Sequence, residues 1–434
     1  MKKRILSVAI CIILLCNIFC VLTVFAKEDI VRTEGIFSYI VLDKHVGNYV
    51  EDHVVLLEVN DNDKTSIQIP EKIGGYPVTH IAEKAFDNTM IKNITLPSTI
   101  TNIGVHSYDN EYSSVYTTSD IISSINVENI NVESDFYKSI DGVLFSNDKK
   151  NLLCYPKGKE LLSYHIPSGT EVIAKSSFSE NKFLKEVVSP NTVKTIDSGA
   201  FSDCESLENV TISDGTQKIR DYAFHFCKNL KTMHIPKSIE EIHTAFYAFY
   251  GCENLSDIYY MGSFYDWCKI TNGYNPAGNF DAYKKFSNNV TIHYEDVSVN
   301  FNGKFFDFDQ PPVIIDGRTL VPVRAIFEAL GMDVTWNDAT NCVDAVGNGH
   351  DVHIQIGNYT ANVNKKVLEL DVPAQIINGR TLVPVRFVCE VLGYSVRWDS
   401  LNKIVFIAKE DEIIINMAEH IFENIGKDTK LSNE

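Results

Sequence analysis

The sequence predicts a mixed, two-part architecture: a solenoid of stacked coils with a parallel sheet and a β-rich insertion, followed by a duplicated small α+β domain. Three observations carry this expectation. Phe178, Phe201 and Phe224 recur at a spacing of 23 residues, and Phe249 follows after 25. Apolar and small residues keep fixed offsets from each of these rings. The octapeptide GRTLVPVR stands at residues 317–324 and again at 379–386.

A fixed period of this length is the mark of a stacked repeat. Ile173, Ile196 and Ile219 stand five residues before the first three phenylalanines, and Ile242 stands seven before Phe249, so the fourth repeat carries a two-residue insertion. Ala200, Ala223 and Ala248 directly precede the last three rings. Asn181, Cys204, Cys227 and Cys252 follow at three residues, and Leu184, Leu207, Leu230 and Leu255 at six. Side chains alternate across a strand, so Leu207, Val210 and Ile212 read as a short strand with Val210 and Ile212 inward and Thr211 outward. The prolines in Ile166-Pro167 and Ile235-Pro236 lack an amide hydrogen and end the ladder there. Each coil is therefore expected to hold one strand and one compact return. A single coil cannot bury its apolar face, so neighbours stack into one elongated core.

Ile81, Ala85, Phe86, Ile94 and Leu96 form a more degenerate coil, and Ile100, Ile103 and Tyr108 begin another. Residues 109–165 then break the period. Asp141-Gly142 between two apolar runs is a hairpin signal, and a second turn is expected at 147–151, so the break reads as a β-rich insertion. The Ile, Ala-Phe, Cys and Leu core, the segment YKSIDGVLFSNDKKNLLCYPKG and the closing IYYMGSFYDWCKI to NNVTIHYE run together resemble the BspA-type leucine-rich repeat proteins of bacterial surfaces over residues 35–295. The resemblance implies a leucine-rich repeat solenoid and a binding role, adhesin-like, toward a protein or glycan of a host, matrix or cell envelope.

The octapeptide marks a unit used twice, 62 residues apart: Asn302 matches Asn364, Asp309 Asp371, Glu328 Glu390, Gly331 Gly393 and Trp336 Trp398. In each copy a strand (Thr319 to Val321, Thr381 to Val383) runs into a proline expected at the first helical position, where its missing donor costs nothing. Val323, Ile326, Phe327 and Leu330 then form one apolar helix face, and Gly331 supplies the stop. Arg324 and Glu328, like Arg386 and Glu390, are four apart and able to pair on the helix surface. Arg318, Arg324, Arg380 and Arg386 form either an anion-binding set or, the expectation preferred, ion pairs with Asp316, Glu328, Asp371 and Glu390. Residues 297–408 resemble the domain named after the N-terminus of copper amine oxidases, also called a stalk domain. The name implies no oxidase chemistry here, because the sequence shows neither a His-x-His pair nor an Asn-Tyr followed by an acidic residue.

The first 26 residues read as a secretory signal: Lys2, Lys3 and Arg4, an apolar run from Ile5 to Val24, then Val24-Phe25-Ala26. The expected organisation is signal at 1–26, solenoid at 27–295 with the insertion at 109–165, duplicated domain at 296–408 and a charged tail at 409–434. The protein is then secreted or held at the cell surface, with membrane contact only if the signal stays uncleaved. A net charge of −18, more negative still without the signal, opposes nucleic acid and anionic membrane as partners. Seven cysteines follow the signal, an odd number, and three of them fall on one repeat position. They read as small buried residues interchangeable with Asn181 rather than as disulfides or a zinc site.

No phosphate loop, His-Glu-x-x-His or Gly-x-Ser-x-Gly is present. His350 and His353 lack a third ligand, and Asp61, Asn62 and Asp63 lack the glycine and distant glutamate of a calcium loop. The sequence thus points to a non-catalytic binding protein with no cofactor. Its ligand face is expected along the outward strand positions Thr95, Val188, Thr211, His234 and Tyr259, stacked in one line, with His234 and Tyr259 the preferred contacts. The rival expectation is an envelope structural protein whose C-terminal module docks to the cell wall and whose repeats are a spacer.

Overall fold

The structure is a computed structural model and describes residues 31–42, 44, 50–105, 126–242, 248–271 and 290–410. The signal segment, Tyr108, part of the insertion and nearly all of the charged tail lie outside the described residues. The chain is β-rich, a solenoid of about seven turns with few helices and then a separate small domain. Two compact units are distinguished: Met1–Lys231 with Tyr247–Asn254, and Thr232–Phe246 with Leu255–Glu434.

In the first unit, each coil holds two short strands where the sequence suggested one. Glu186–Val188 and Thr195–Ile196 belong to one coil, Asn209–Thr211 and Lys218–Ile219 to the next. Both sets pair in parallel with the matching strand one coil away, Val187 with Val210 and Ile196 with Ile219. The isoleucine that sequence reading gave to the return is thus a strand residue of a second sheet. It is buried there because a two-residue strand still turns alternate side chains to opposite faces.

Between the sheets runs a column of rings. Phe178 and Phe201 stack with centroids 4.7 Å apart, Phe201 and Phe224 at 5.2 Å, Phe224 and Phe249 at 5.6 Å. Tyr155 continues the column over Phe178 at 5.0 Å. Beside the column, the Cys204 thiol donates to the Phe178 carbonyl one coil back at 3.0 Å, Cys227 to Phe201 at 3.1 Å and Cys252 to Phe224 at 3.0 Å. At the same position Asn181 donates to the carbonyl of Lys157 at 3.2 Å and accepts from the amides of Phe183 and Leu184. Cysteine and asparagine are therefore equivalent in a concrete sense: each is small and brings a side-chain donor to a carbonyl of the preceding coil. All seven described cysteines are buried and free, and burial pushes the Cys204 thiol up.

The insertion is smaller than the break in period suggested. Asn129–Asn131 pairs in parallel with Asn93–Thr95, so the coil pattern has resumed by then. The expected hairpin is present as Tyr137–Ile140 against Val143–Ser146, with Asp141 and Gly142 both at positive φ in its turn. The next strand, Asn151–Cys154, pairs in parallel with Val172–Ile173 and so joins the solenoid sheet. Ahead of the coils, Phe37–Leu42 and His53–Val59 form an antiparallel pair whose second strand lies parallel to Tyr76–Ala82 and covers that end of the core.

In the second unit, Thr232–Ile235, Asp257–Tyr260 and Thr291–Tyr294 run parallel. Between the second and third of these strands in the chain comes a short helix α1 (Phe264–Ile270), capped by reciprocal bonds between Ser263 and Asp266 and burying Trp267. The two copies of the duplicated domain exchange hairpins. Ser298–Phe301 from the first pairs with Ile404–Ala408 of the second, and Thr360–Val363 from the second pairs with His350–Gln355. Arg318–Pro322 and Arg380–Pro384 pair antiparallel about Val321 and Val383. Each leads into a helix, α2 (Val323–Ala329) or α3 (Val385–Val391). Pro322 and Pro384 sit at the N-cap, one residue before the position expected, because each still belongs to the preceding strand. Gly331 and Gly393 take positive φ just past the helix ends.

Candidate ligand-binding face

The five outward positions named from sequence do not share one sheet. Thr95 is exposed but lies in a three-stranded sheet between Gln68 and Asn131. Val188 and Thr211 pair in a different sheet, with His165 as their outer neighbour. The insertion explains the break. The amide of Ile130 donates to Gly142 in the hairpin turn at 2.9 Å, and Lys159 ties Asn129 to Asp141 through its ammonium. The edge of that strand is thus occupied by the hairpin. Val188 alternates with the buried Val187 and so is on the outward side, half-buried there, whereas Thr211 is exposed.

His234 and Tyr259 do come together. Their strands are paired with these residues opposite each other, and the rings stack with centroids 4.9 Å apart and 11° between planes. A third ring, not foreseen, completes the set: His293 lies opposite Tyr259 and stacks on it at 4.5 Å and 11°. Its signal was hidden because residues 272–289 separate the two strands and remove the period. His293 Nε2 is 2.7 Å from Asp257 Oδ1, and this bond, with a second from Ser256, holds the Asp257 carboxyl below its ordinary range. Tyr259 is 37% exposed, so the ladder offers an aromatic surface of one phenol between two imidazoles.

Elsewhere the expected ion pairs are partly redrawn. Arg318 pairs with Asp371 and Arg380 with Asp309, so both arginines reach across to the other copy, and Asp316 has no ion pair among the described residues. Arg386 is 3.9 Å from Glu390, while Arg324 has no ion pair among the described residues. The hairpin exchange causes this, because it brings each copy's arginine to the partner copy's aspartate. His353 is hydrogen-bonded to Asp344 and His350 to the Asn348 carbonyl. Among the described residues no group of three or more metal-binding side chains converges. No described helix is long and apolar enough to cross a membrane.

Residues 60–152 and 153–271 match the BspA type Leucine rich repeat region in six copies, and residues 300–407 match the Copper amine oxidase N-terminal domain. These are non-catalytic accessory modules, and BspA-type repeat proteins are typically found at the cell surface. A protein named as a protease inhibitor from Brevibacillus choshinensis is 31% identical over 104 residues, 24% of this chain and 31% of that protein. The chain thus spans about a third of that curated relative's length. Similar solved structures include a leucine rich cell surface protein from Faecalibacterium prausnitzii, 18% identical, covering 58% of this chain and 100% of that one with a TM-score of 0.29. A leucine-rich repeat protein from Eubacterium ventriosum is 15% identical, with 67% and 92% covered and a TM-score of 0.35. The pneumococcal vaccine antigen PcpA is 19% identical, with 55% and 83% covered and a TM-score of 0.33.

Proposed function

We propose that this chain, built of BspA-type leucine-rich repeats ahead of a copper amine oxidase N-terminal domain, is an exported, non-catalytic binding protein of adhesin-like type. Its ligand face is the outward side of the parallel strands, centred on His234, Tyr259 and His293. The observation that supports this reading is the stacked ladder itself. Three rings on successive strands leave an aromatic surface beside strand positions that are otherwise polar, and rigid exposed aromatics contribute contact area at little entropic cost. Thr95, Val188 and Thr211 belong to the first unit and are not assigned to this face. The preferred ligand class is a protein surface, with a glycan as the second class to be separated by experiment.

The test is a binding screen of the secreted full chain against matrix proteins, cell-surface proteins and immobilised glycans, repeated with His234, Tyr259 and His293 changed to alanine. Loss of a ligand from the variant, with unchanged thermal unfolding, supports the assignment. Equal binding by the variant removes it.

A further inference from the structure

The C-terminal domain contains two grooves that the duplication makes equivalent, and each is built from both copies. The first, of about 760 Å3, lies between α2, Trp336 and the hairpin that carries Arg380. The second, of about 690 Å3, lies between α3, Trp398 and the hairpin that carries Arg318. These volumes are in the range of small-ligand sites.

Some of the packed positions differ between the two copies, while Leu320 and Leu382, Val321 and Val383, and Leu330 and Leu392 are kept. Phe327 in the core corresponds to Cys389, Ile326 to Val388 and Met332 to Tyr394. The polar and aromatic groove walls are shared: Arg324 and Arg386, Glu328 and Glu390, Trp336 and Trp398 are unchanged at the 62-residue spacing, whereas Ala325 of the first groove corresponds to Phe387 of the second. Arg324 has no ion pair among the described residues, and Trp398 is 41% exposed, so both side chains are open to a ligand in the groove. In the first copy the indole is oriented by a bond from Trp336 Nε1 to Asp338 at 2.6 Å.

We infer that each groove is a saccharide-binding site and that the domain engages a repeating glycan at two points. The chemistry on the walls selects this class. One flat indole with Val334, Val343 and Ile376 beside it suits the apolar face of a sugar ring, while guanidinium and carboxylate groups meet its hydroxyls. Charge excludes the anionic alternatives. In the first groove Arg324 and Arg380 face Asp309 and Glu328, and in the second Arg318 and Arg386 face Glu369, Asp371 and Glu390, so neither carries a positive excess. The ligand is neutral, polar and has an apolar face. Two such sites on one domain raise the avidity for a polymer far above either single affinity. This role is separate from that of the solenoid ladder.

The full chain is titrated with N-acetylglucosamine hexamer, cellohexaose and maltohexaose, with heparin as the anionic control, by calorimetry and tryptophan fluorescence. Only three tryptophans are present, and Trp267 is fully buried, so the fluorescence change reports Trp336 and Trp398. One of the neutral hexasaccharides is expected to bind with two sites per chain. Arg386→Ala or Trp398→Ala reduces the stoichiometry to one, and the Arg324→Ala, Arg386→Ala double variant, which leaves the core untouched, weakens retention on the matching polymer by about a hundredfold or more. Absence of binding to all three hexasaccharides overturns the inference. So does binding that survives the double variant, or heparin that binds more tightly than the neutral sugars.

Discussion

His293 lies face to face with Tyr259, centroids 4.5 Å apart and planes 11° from parallel, although 33 residues of chain separate them. The phenol is thereby enclosed between two imidazoles on adjacent strands. Replacing Tyr259 by alanine is expected to lower partner affinity at least tenfold while shifting the thermal midpoint little, because exposed side chains contribute within about 0.5 kcal/mol to stability. Leucine at the same position keeps bulk without a ring face and is expected to restore less affinity than phenylalanine. Surface plasmon resonance together with calorimetry separates the two quantities.

Phe201 sits in the middle of the ring column, stacked on both sides and almost fully buried. Its replacement by alanine opens a cavity across three coils and is expected to cost about 3–5 kcal/mol, read from the urea midpoint. A loss under 1 kcal/mol means the coils do not share the column.

Asn181 brings a donor and an acceptor into the position filled by cysteine in later coils. Alanine there removes the acceptor of the Phe183 and Leu184 amides and one donor to the Lys157 carbonyl, a cost on the order of 3 kcal/mol. Cysteine retains the donor and is expected to cost less than alanine. The thiols of Cys204, Cys227 and Cys252 are buried and shifted away from the reactive thiolate or already committed to a carbonyl. Maleimide is expected to leave them unmodified in the folded protein and to label them once denaturant is added, as counted by mass spectrometry.

His80 stacks on His53 at 5.2 Å, donates to Thr79 Oγ1 and accepts from Asn102 at Nε2, which fits the neutral ring. Burial first, and the charge on His53 second, lower its pKa from 6.5 to about 4. The unfolded chain therefore binds this proton over a range where the folded chain does not, and stability falls as pH drops from 6.5 towards 4, by roughly 3 kcal/mol, then levels off. His80→Gln is expected to flatten that slope in unfolding curves collected between pH 7 and 4. An unchanged slope assigns the acid sensitivity to other groups.

Much of this molecule is written in short-range pattern. The period of Phe178, Phe201 and Phe224 determined the coil, its ring column and the place of the cysteines, because each coil repeats one set of contacts with its neighbours. The doubled octapeptide likewise determined the strand, the helix and the glycine stop of each copy. Tertiary structure decided whatever depends on residues far apart in the chain. It placed a second strand in each coil, where two residues carry too little periodicity to be read. It moved Thr95 off the common line, because the hairpin at Asp141 takes the strand edge that His165 would otherwise share. It also set His293 on Tyr259 across a long excursion and exchanged hairpins between the two copies, so that Arg380 meets Asp309 and each groove draws its walls from both. Local sequence specifies which residues face outward; only the packed chain specifies which outward residues are neighbours.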